Sequence, residues 1–311
     1  MHIIPGSVPA VLALASMPFG MTATVFWMYA YGLLLLLAGI AMIVPQLPRE
    51  HGVDKVMPLG RLFYAMSLGV FGTEHFTLTA GIAGLIPRWI PAHMFWAYAV
   101  GLGFVLAALS FVVLVQARLA AALTGMTFLI FVCVMDLPGT LRHPDNRFFW
   151  ALALRQLAFS GGAVAFAISR WSTREQQPWQ APGGAAWKAV PRFFVGLPAL
   201  FYGVEQLLHP AYVPGIPLNK LTPEWIPGSV FLAILVGVVS VVAGACLLVN
   251  RKARMAAVAL GLTLLLAMLW VYLPMLVAAP RDIVALNYFF DTLMFCGAVL
   301  LTAGAMDTPP R

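Results

Sequence analysis

The feature that most constrains this chain is a succession of apolar runs, each about as long as a bilayer is thick. A hydrocarbon core of about 30 Å requires about 20 residues of helix. Nine runs reach that length, at about 22 to 45, 58 to 82, 92 to 116, 119 to 138, 147 to 169, 191 to 209, 228 to 249, 254 to 276 and 284 to 305. Within hydrocarbon every backbone N–H and C=O needs a partner inside the protein, which leaves helices or closed barrels. A barrel would show short alternating segments, whereas these runs are continuous. Of 311 residues, 62% are hydrophobic and 9% charged, against about 45–50% and about 25% in soluble domains. So little polar surface excludes a water-soluble globule, and so much apolar surface excludes a disordered chain. The sequence predicts an all-α, polytopic membrane protein of nine transmembrane helices.

Residues 7–19 are apolar but too short to span, and Pro5, Pro9 and Pro18 interrupt them, so they read as an interfacial or re-entrant segment. No Lys or Arg precedes the first long run, which argues against a cleavable signal peptide. The net charge of +7 is distributed as a topology signal. Twelve of the 18 basic residues, Arg61, Arg118, Arg192 and Arg254 among them, lie at one set of loops, five at the other, and Arg155 inside a run. The positive-inside rule then places the N-terminus outside and the C-terminus in the cytoplasm, as in a bacterial-type inner membrane, and gives the excess charge no nucleic-acid role. Cys133, Cys246 and Cys296 all fall inside apolar runs without metal-ligand or dithiol spacing.

The chain also matches itself. The stretch RLFYAMSLGVFGTEH from Arg61 aligns with RFFVGLPALFYGVEQ from Arg192, pairing Gly72 with Gly203 and Glu74 with Glu205. After five extra residues in the second copy, PRWIPAHMF (87–95) aligns with PEWIPGSVF (223–231). An offset of 136 then holds through Gly101/Gly237, Arg118/Arg254, Gly125/Gly261, Pro138/Pro274 and Gly161/Gly297. The expected organisation is an N-terminal segment with one extra helix (1–57), a four-helix unit (58–170), a polar Gly- and Pro-rich cytoplasmic linker (171–189) and a second four-helix unit (190–311). Units of four helices have the same orientation, so an axis near the membrane normal would relate them.

Each unit resembles the DoxX-like family of small four-helix membrane proteins. The resemblance lies in an Arg opening the first helix, a glycine near its far end, the Pro-x-Trp-Ile-Pro loop, a Gly-containing second helix, and basic residues followed by alanines opening the third (Arg118 to Ala122; Arg251 to Ala257). It implies a part in membrane redox chemistry, since relatives include a subunit of a thiosulfate:quinone oxidoreductase. Many relatives carry Lys shortly after the first-helix glycine, where this chain has Glu74 and Glu205, so residue roles do not transfer.

An ionisable group near the bilayer centre costs at least about 2.5 kcal/mol and calls for a partner or a purpose. Glu74 and Glu205 each lie 13 residues after the Arg of their helix, roughly 20 Å along it. Arg155 and Asp291 lie roughly 11 Å into helices that start outside, so all four are expected in one layer of the outer leaflet. Arg155 and Asp291 are also repeat partners. The expected pairs are a bidentate Glu74–Arg155 in the first unit and Glu205 facing Asp291 in the second, the latter needing a raised proton affinity, a bound cation or Arg155 reaching across between halves.

His75, His93, His209, Asp136, Tyr202 and Asn287 are candidates to line an outward-facing pocket beside that layer, with Trp89 and Trp225 as interface anchors. Glu205 and His209 share a helix face at a spacing that suits a metal, but Pro210 follows at once and His75 and His209 are not repeat equivalents, which argues against a metal or bis-His haem site. No nucleotide-binding or hydrolase motif is present. The leading expectation is a DoxX-like protein in the lipid bilayer that binds a small molecule such as a quinone and serves membrane redox partner proteins as a subunit or accessory. Glu205 and Asp291 would then handle a proton and Arg155 would orient an oxygen. A proton- or cation-coupled secondary transporter is the alternative, and a structural membrane component without ligand the second.

Overall fold

The computed structural model describes residues 21–49, 52–170 and 185–306. The proposed re-entrant segment 7–19 and all but the end of the linker lie outside the described residues. The fold consists of ten α elements: α1 (Ala23–Ile43), α2 (Met57–Thr77), the short α3 (Thr79–Ala83), α4 (His93–Val113), α5 (Ala117–Arg142), α6 (Arg147–Ser169), α7 (Ala185–Leu208), α8 (Ser229–Leu248), α9 (Ala253–Ala278) and α10 (Ile283–Gly304).

Seven of these, α1, α4, α5, α6, α8, α9 and α10, are long and apolar enough to cross a membrane. The protein is therefore an all-α integral membrane protein. The expectation of nine spans is met in length but not in hydropathy. The two remaining long helices, α2 and α7, have 21 and 24 residues but are less apolar, because they carry Arg61 with Glu74 and Lys188, Arg192 and Glu205. Helix α7 also begins at Ala185 instead of 191, since Ala185–Val190 continue the helix through Pro191.

The helix ends follow from local chemistry. Asn146 and Asp282 cap α6 and α10, each side chain accepting from the backbone N–H two residues on. Both α5 and α9 contain a π-helical turn, at Val132–Asp136 and Met268–Tyr272, directly before Pro138 and Pro274. Proline removes a helical N–H and its ring crowds the preceding turn, and a widened turn relieves both. Left-handed residues open further pairs of helices: Ala92 and Gly228 before α4 and α8, Gln116 and Lys252 before α5 and α9. All these features recur at the offset of 136 read from the sequence, as do Ser160 and Cys296, which donate to the carbonyls of Gly125 and Gly261.

Helices α6 and α10 pack together at the centre. Helix α2 packs on α1, α4 and α10, while α7 packs on α8 and α6, so the first helix of each half leans on the last helix of the other. Small residues permit the close approaches, as expected where van der Waals contact drives helix association. A Cβ on Gly203 would lie 2.6 Å from the Val241 nitrogen and 2.7 Å from the Gly237 oxygen in α8. By contrast, one on Gly103 would meet nothing within 4 Å.

Gly203→Leu is expected to force α7 and α8 apart and destabilise the protein by about 1–3 kcal/mol or more, whereas Gly103→Leu leaves stability unchanged. Unfolding midpoints of the two variants in the same detergent check this.

Candidate functional site

The four intramembrane charges do not form the pairs expected of them. Arg155 Nη1 donates to Asp291 Oδ2 at 2.5 Å, an ion pair between α6 and α10 whose partners are 20% and 9% exposed. Glu74 accepts instead from Asn287 Nδ2 at 2.9 Å. Glu205 accepts from Arg147 Nη1 at 3.2 Å and lies 3.8 Å from His209 Nε2. The bidentate Glu74–Arg155 pair and the facing Glu205 and Asp291 are therefore corrected, while the expected alternative of Arg155 reaching across between halves is the one found: Arg155 is the partner of Asp291, the residue at its own equivalent position.

The packing gives the reason. Because α6 and α10 meet at the centre, residues 155 and 291 face each other, and Arg155 takes the nearest carboxylate. Glu74, on α2, leans on α10 and finds Asn287 one turn from Asp291. Glu205, on α7, leans on α6, where the position equivalent to Asn287 is Ala151, whose carbonyl accepts from Tyr202 at 2.8 Å. With no side-chain partner at that level, Glu205 reaches one turn further, to Arg147. The single layer expected from residue counting is thus staggered. Asn287 is one turn and Arg147 two turns from the ion pair, roughly 6 and 12 Å along their helices.

A cavity of about 740 Å³ opens beside this pair in the first half. Glu74, Arg155, Asn287 and Asp291 form its polar end, together with His75 and Gln156. Its apolar walls come from α2, α4, α5 and α6, with Phe71, Phe104, Phe128 and Phe159 prominent. The 82–90 segment closes one side through Ile82, Leu85, Pro87 and Trp89. Trp89 is 74% exposed, as an interface anchor should be, yet also contributes to the cavity wall; Trp225 is 57% exposed and does not.

The sequence-predicted residues divide accordingly. His75 and Asn287 line the cavity. His75 is oriented by its Nδ1 contact with the Phe71 carbonyl at 2.7 Å. His93 stands outside it, its Nε2 3.2 Å from the carbonyl of Pro87, where it braces the wall loop. Asp136 ends the π turn of α5 within electrostatic reach of Arg155. Tyr202 is fully buried against α6. His209 belongs to the Glu205 cluster, edge-on to Tyr212. Tyr202, His93, Asp136 and His209 therefore do not gather in one pocket with His75: Tyr202 and His209 belong to the second half, whose polar end turns toward α6, His93 faces the Pro87 carbonyl, and Asp136 is not among the lining residues. Among the described residues, no group of three or more His, Cys, Asp or Glu side chains gathers as a metal site.

Two functional features were missed from sequence. Arg147 read as a loop cation, but it holds Glu205 and donates to the carbonyls of Pro217 and Leu218 at 2.8 and 2.6 Å. Its spacing of eight from Arg155 on one helix is the signal that would have found it. Gln156, beside Arg155, was overlooked as a polar residue in mid-span.

The family model DoxX matches residues 188–273, covering α7, α8 and most of α9. The chain is an integral membrane protein that is similar to DoxX over this stretch. Neither a curated protein nor a solved structure matches it. The cavity lies wholly outside the matched stretch, its nearest lining residues being Asn287 and Asp291 of α10.

Removing one partner of a buried ion pair leaves the other uncompensated, at about 3–5 kcal/mol. Asp291→Leu and Arg155→Met are each expected to destabilise the protein by that order, and the double variant by less than either. A double-mutant cycle on unfolding in detergent measures the coupling.

Proposed function

We propose that this DoxX-like protein binds a quinone-like small molecule in the 740 Å³ cavity, in the outer leaflet, as a subunit or accessory of membrane redox chemistry. The observation that carries the reading is an apolar, aromatic cavity ending in an ion pair. Its size falls in the usual range for small-molecule sites, about 300–1,000 Å³. Rings stack or pack edge-on against phenylalanine walls, while a guanidinium and an amide at the blind end suit an oxygen-bearing head. Arg155 would orient an oxygen of the head, and Asp291 and Glu74 are the carboxylates beside it. Glu205, held by Arg147 and His209 away from this cavity, has no part in the proton path.

The same reading takes the chain as two copies of a four-helix unit preceded by α1, with the N-terminus outside and the C-terminus in the cytoplasm. The recurrence of caps, left-handed helix starts and π turns at one offset supports the duplication. The distribution of Lys and Arg supports the orientation.

Mass spectrometry and absorption spectra of the detergent-solubilised protein test the function. Co-purifying quinone is expected, along with at least a tenfold loss of affinity for a decyl-tailed benzoquinone in Arg155→Met. Protein free of quinone, together with an Arg155→Met strain whose membrane redox activity is unchanged, overturns the reading.

A further inference from the structure

The two halves of the chain treat the same place in opposite ways. Between the first and second helices of its unit, the second half carries five more residues than the first. They fall at the six-residue segment 213–218, every residue of which is buried. The segment lies where the first half has its cavity. A Cβ on Gly215 would lie 3.0 Å from Leu264 and 3.1 Å from Thr292, and these positions correspond to the cavity residues Phe128 and Gln156. The Tyr272 hydroxyl donates to the Pro214 carbonyl at 2.8 Å, and the Gly215 N–H donates to Gln206 Oε1 at 3.3 Å. Tyr272 corresponds to Asp136 and Gln206 to His75. Leu232, Val236 and Ala267 are fully buried, while their counterparts Trp96, Val100 and Phe131 line the open cavity.

The second half therefore contains a resident occupant, and its chemistry is visible: an apolar body presenting both a hydrogen-bond acceptor and a donor. The open cavity makes the same double demand. Three residues that line its polar end each keep a buried polar atom without a partner: Arg155 its Nε–H, a donor, and Gln156 and Asn287 their acceptors Oε1 and Oδ1. Asn287 cannot exchange its amide ends, because its Nδ2 is committed to Glu74. An occupant with acceptors only would leave those oxygens unsatisfied, and a buried unpaired acceptor is destabilising. A hydroxyl both donates and accepts. The way in is also apparent. Helices α4 and α5 meet less closely than their counterparts α8 and α9, and the cavity residues Trp96 and Ile130 on either side of that gap are 46% and 50% exposed. The gap faces sideways, toward lipid.

We infer that the chain holds one hydroxyl-headed amphiphile, of the phenol or quinol type, which enters the first-half cavity sideways from the bilayer between α4 and α5, while the segment 213–218 permanently fills the corresponding place in the second half. This rests on the same cavity being a ligand site, but not on the ligand being redox-active.

The test uses the full chain in lipid vesicles and a decyl-tailed phenol with a diazirine in its tail, competed by a decyl-tailed benzoquinol or by the dimethyl ether of that quinol. One equivalent per chain is expected, with labelling on residues 96–135 and not on 232–271. The quinol should compete at least tenfold better than its diether. Thr127→Trp, in the cavity wall, should lower labelling at least tenfold, while the equivalent Thr263→Trp leaves it unchanged. Deleting 214–218 should create a second equivalent labelled on α8 and α9; if that variant does not fold, the two tryptophan variants decide. Labelling no higher than lipid background, equal labelling of both halves, or equal competition by the diether overturns the inference. If the phenol binds as well as the quinol and no quinone co-purifies, this inference stands while the redox reading falls.

Discussion

The ion pair between Arg155 and Asp291 is the interaction on which the rest of the structure depends. It joins the two central helices, and every other polar contact at the site is arranged around it. A lone guanidinium or carboxylate at this depth would be expelled or neutralised, and a matched pair at hydrogen-bonding distance is what makes burial tolerable. The pair also explains why Glu74 and Glu205 look elsewhere. With Arg155 engaged by Asp291 at 2.5 Å, each glutamate takes the nearest remaining donor, Asn287 for one and Arg147 for the other.

That two equivalent positions face each other has a geometric meaning. In an arrangement with near-twofold symmetry, only residues at the axis meet their own counterparts. Two separate copies of an identical unit would place like residues there, either two arginines or two aspartates, and like charges repel. In this chain the two positions carry opposite charges and form an ion pair instead. Positions 151 and 287 differ likewise, alanine and asparagine sending the two glutamates to different partners.

Much of this was legible in the sequence, and what was not has identifiable causes. The all-α membrane class, the 136-residue offset and the polar residues Glu74, Arg155, Asn287 and Asp291 at the cavity follow from run length, self-alignment and the rarity of charge in apolar segments. Pairing did not follow, because sequence gives depth along a helix but not which neighbour the helix leans on. Assigning each glutamate to its own half assumed that each unit packs within itself, whereas α2 rests on α10 and α7 on α6. Depth failed for Glu205 for a related reason: counting residues from Arg192 assumes that the nearest partner is level, and Ala151 offers none. The lower hydropathy of α2 and α7 reflects the same packing, since helices that carry the polar residues of the site need not be apolar throughout.

The five additional residues were visible as an interruption of the self-alignment, but only the fold gives them a place. A membrane bundle cannot leave a polar-ended cavity of this size without filling it by side chains, backbone, water or a ligand. The second half fills its own with 213–218, whose carbonyls are held by Arg147 and Tyr272. The first half lacks the residues to do so, since the link from α2 to Pro87 is taken up by the short helix α3. Here too Trp96, Phe104 and Phe131 stand where the second half has Leu232, Ser240 and Ala267. Larger aromatic side chains around an open space, against smaller ones around a filled space, are the reverse of what close packing alone would select. The aromatic wall is instead suited to a flat apolar guest, whereas the smaller residues at 232, 240 and 267 leave room for the chain's own segment 213–218.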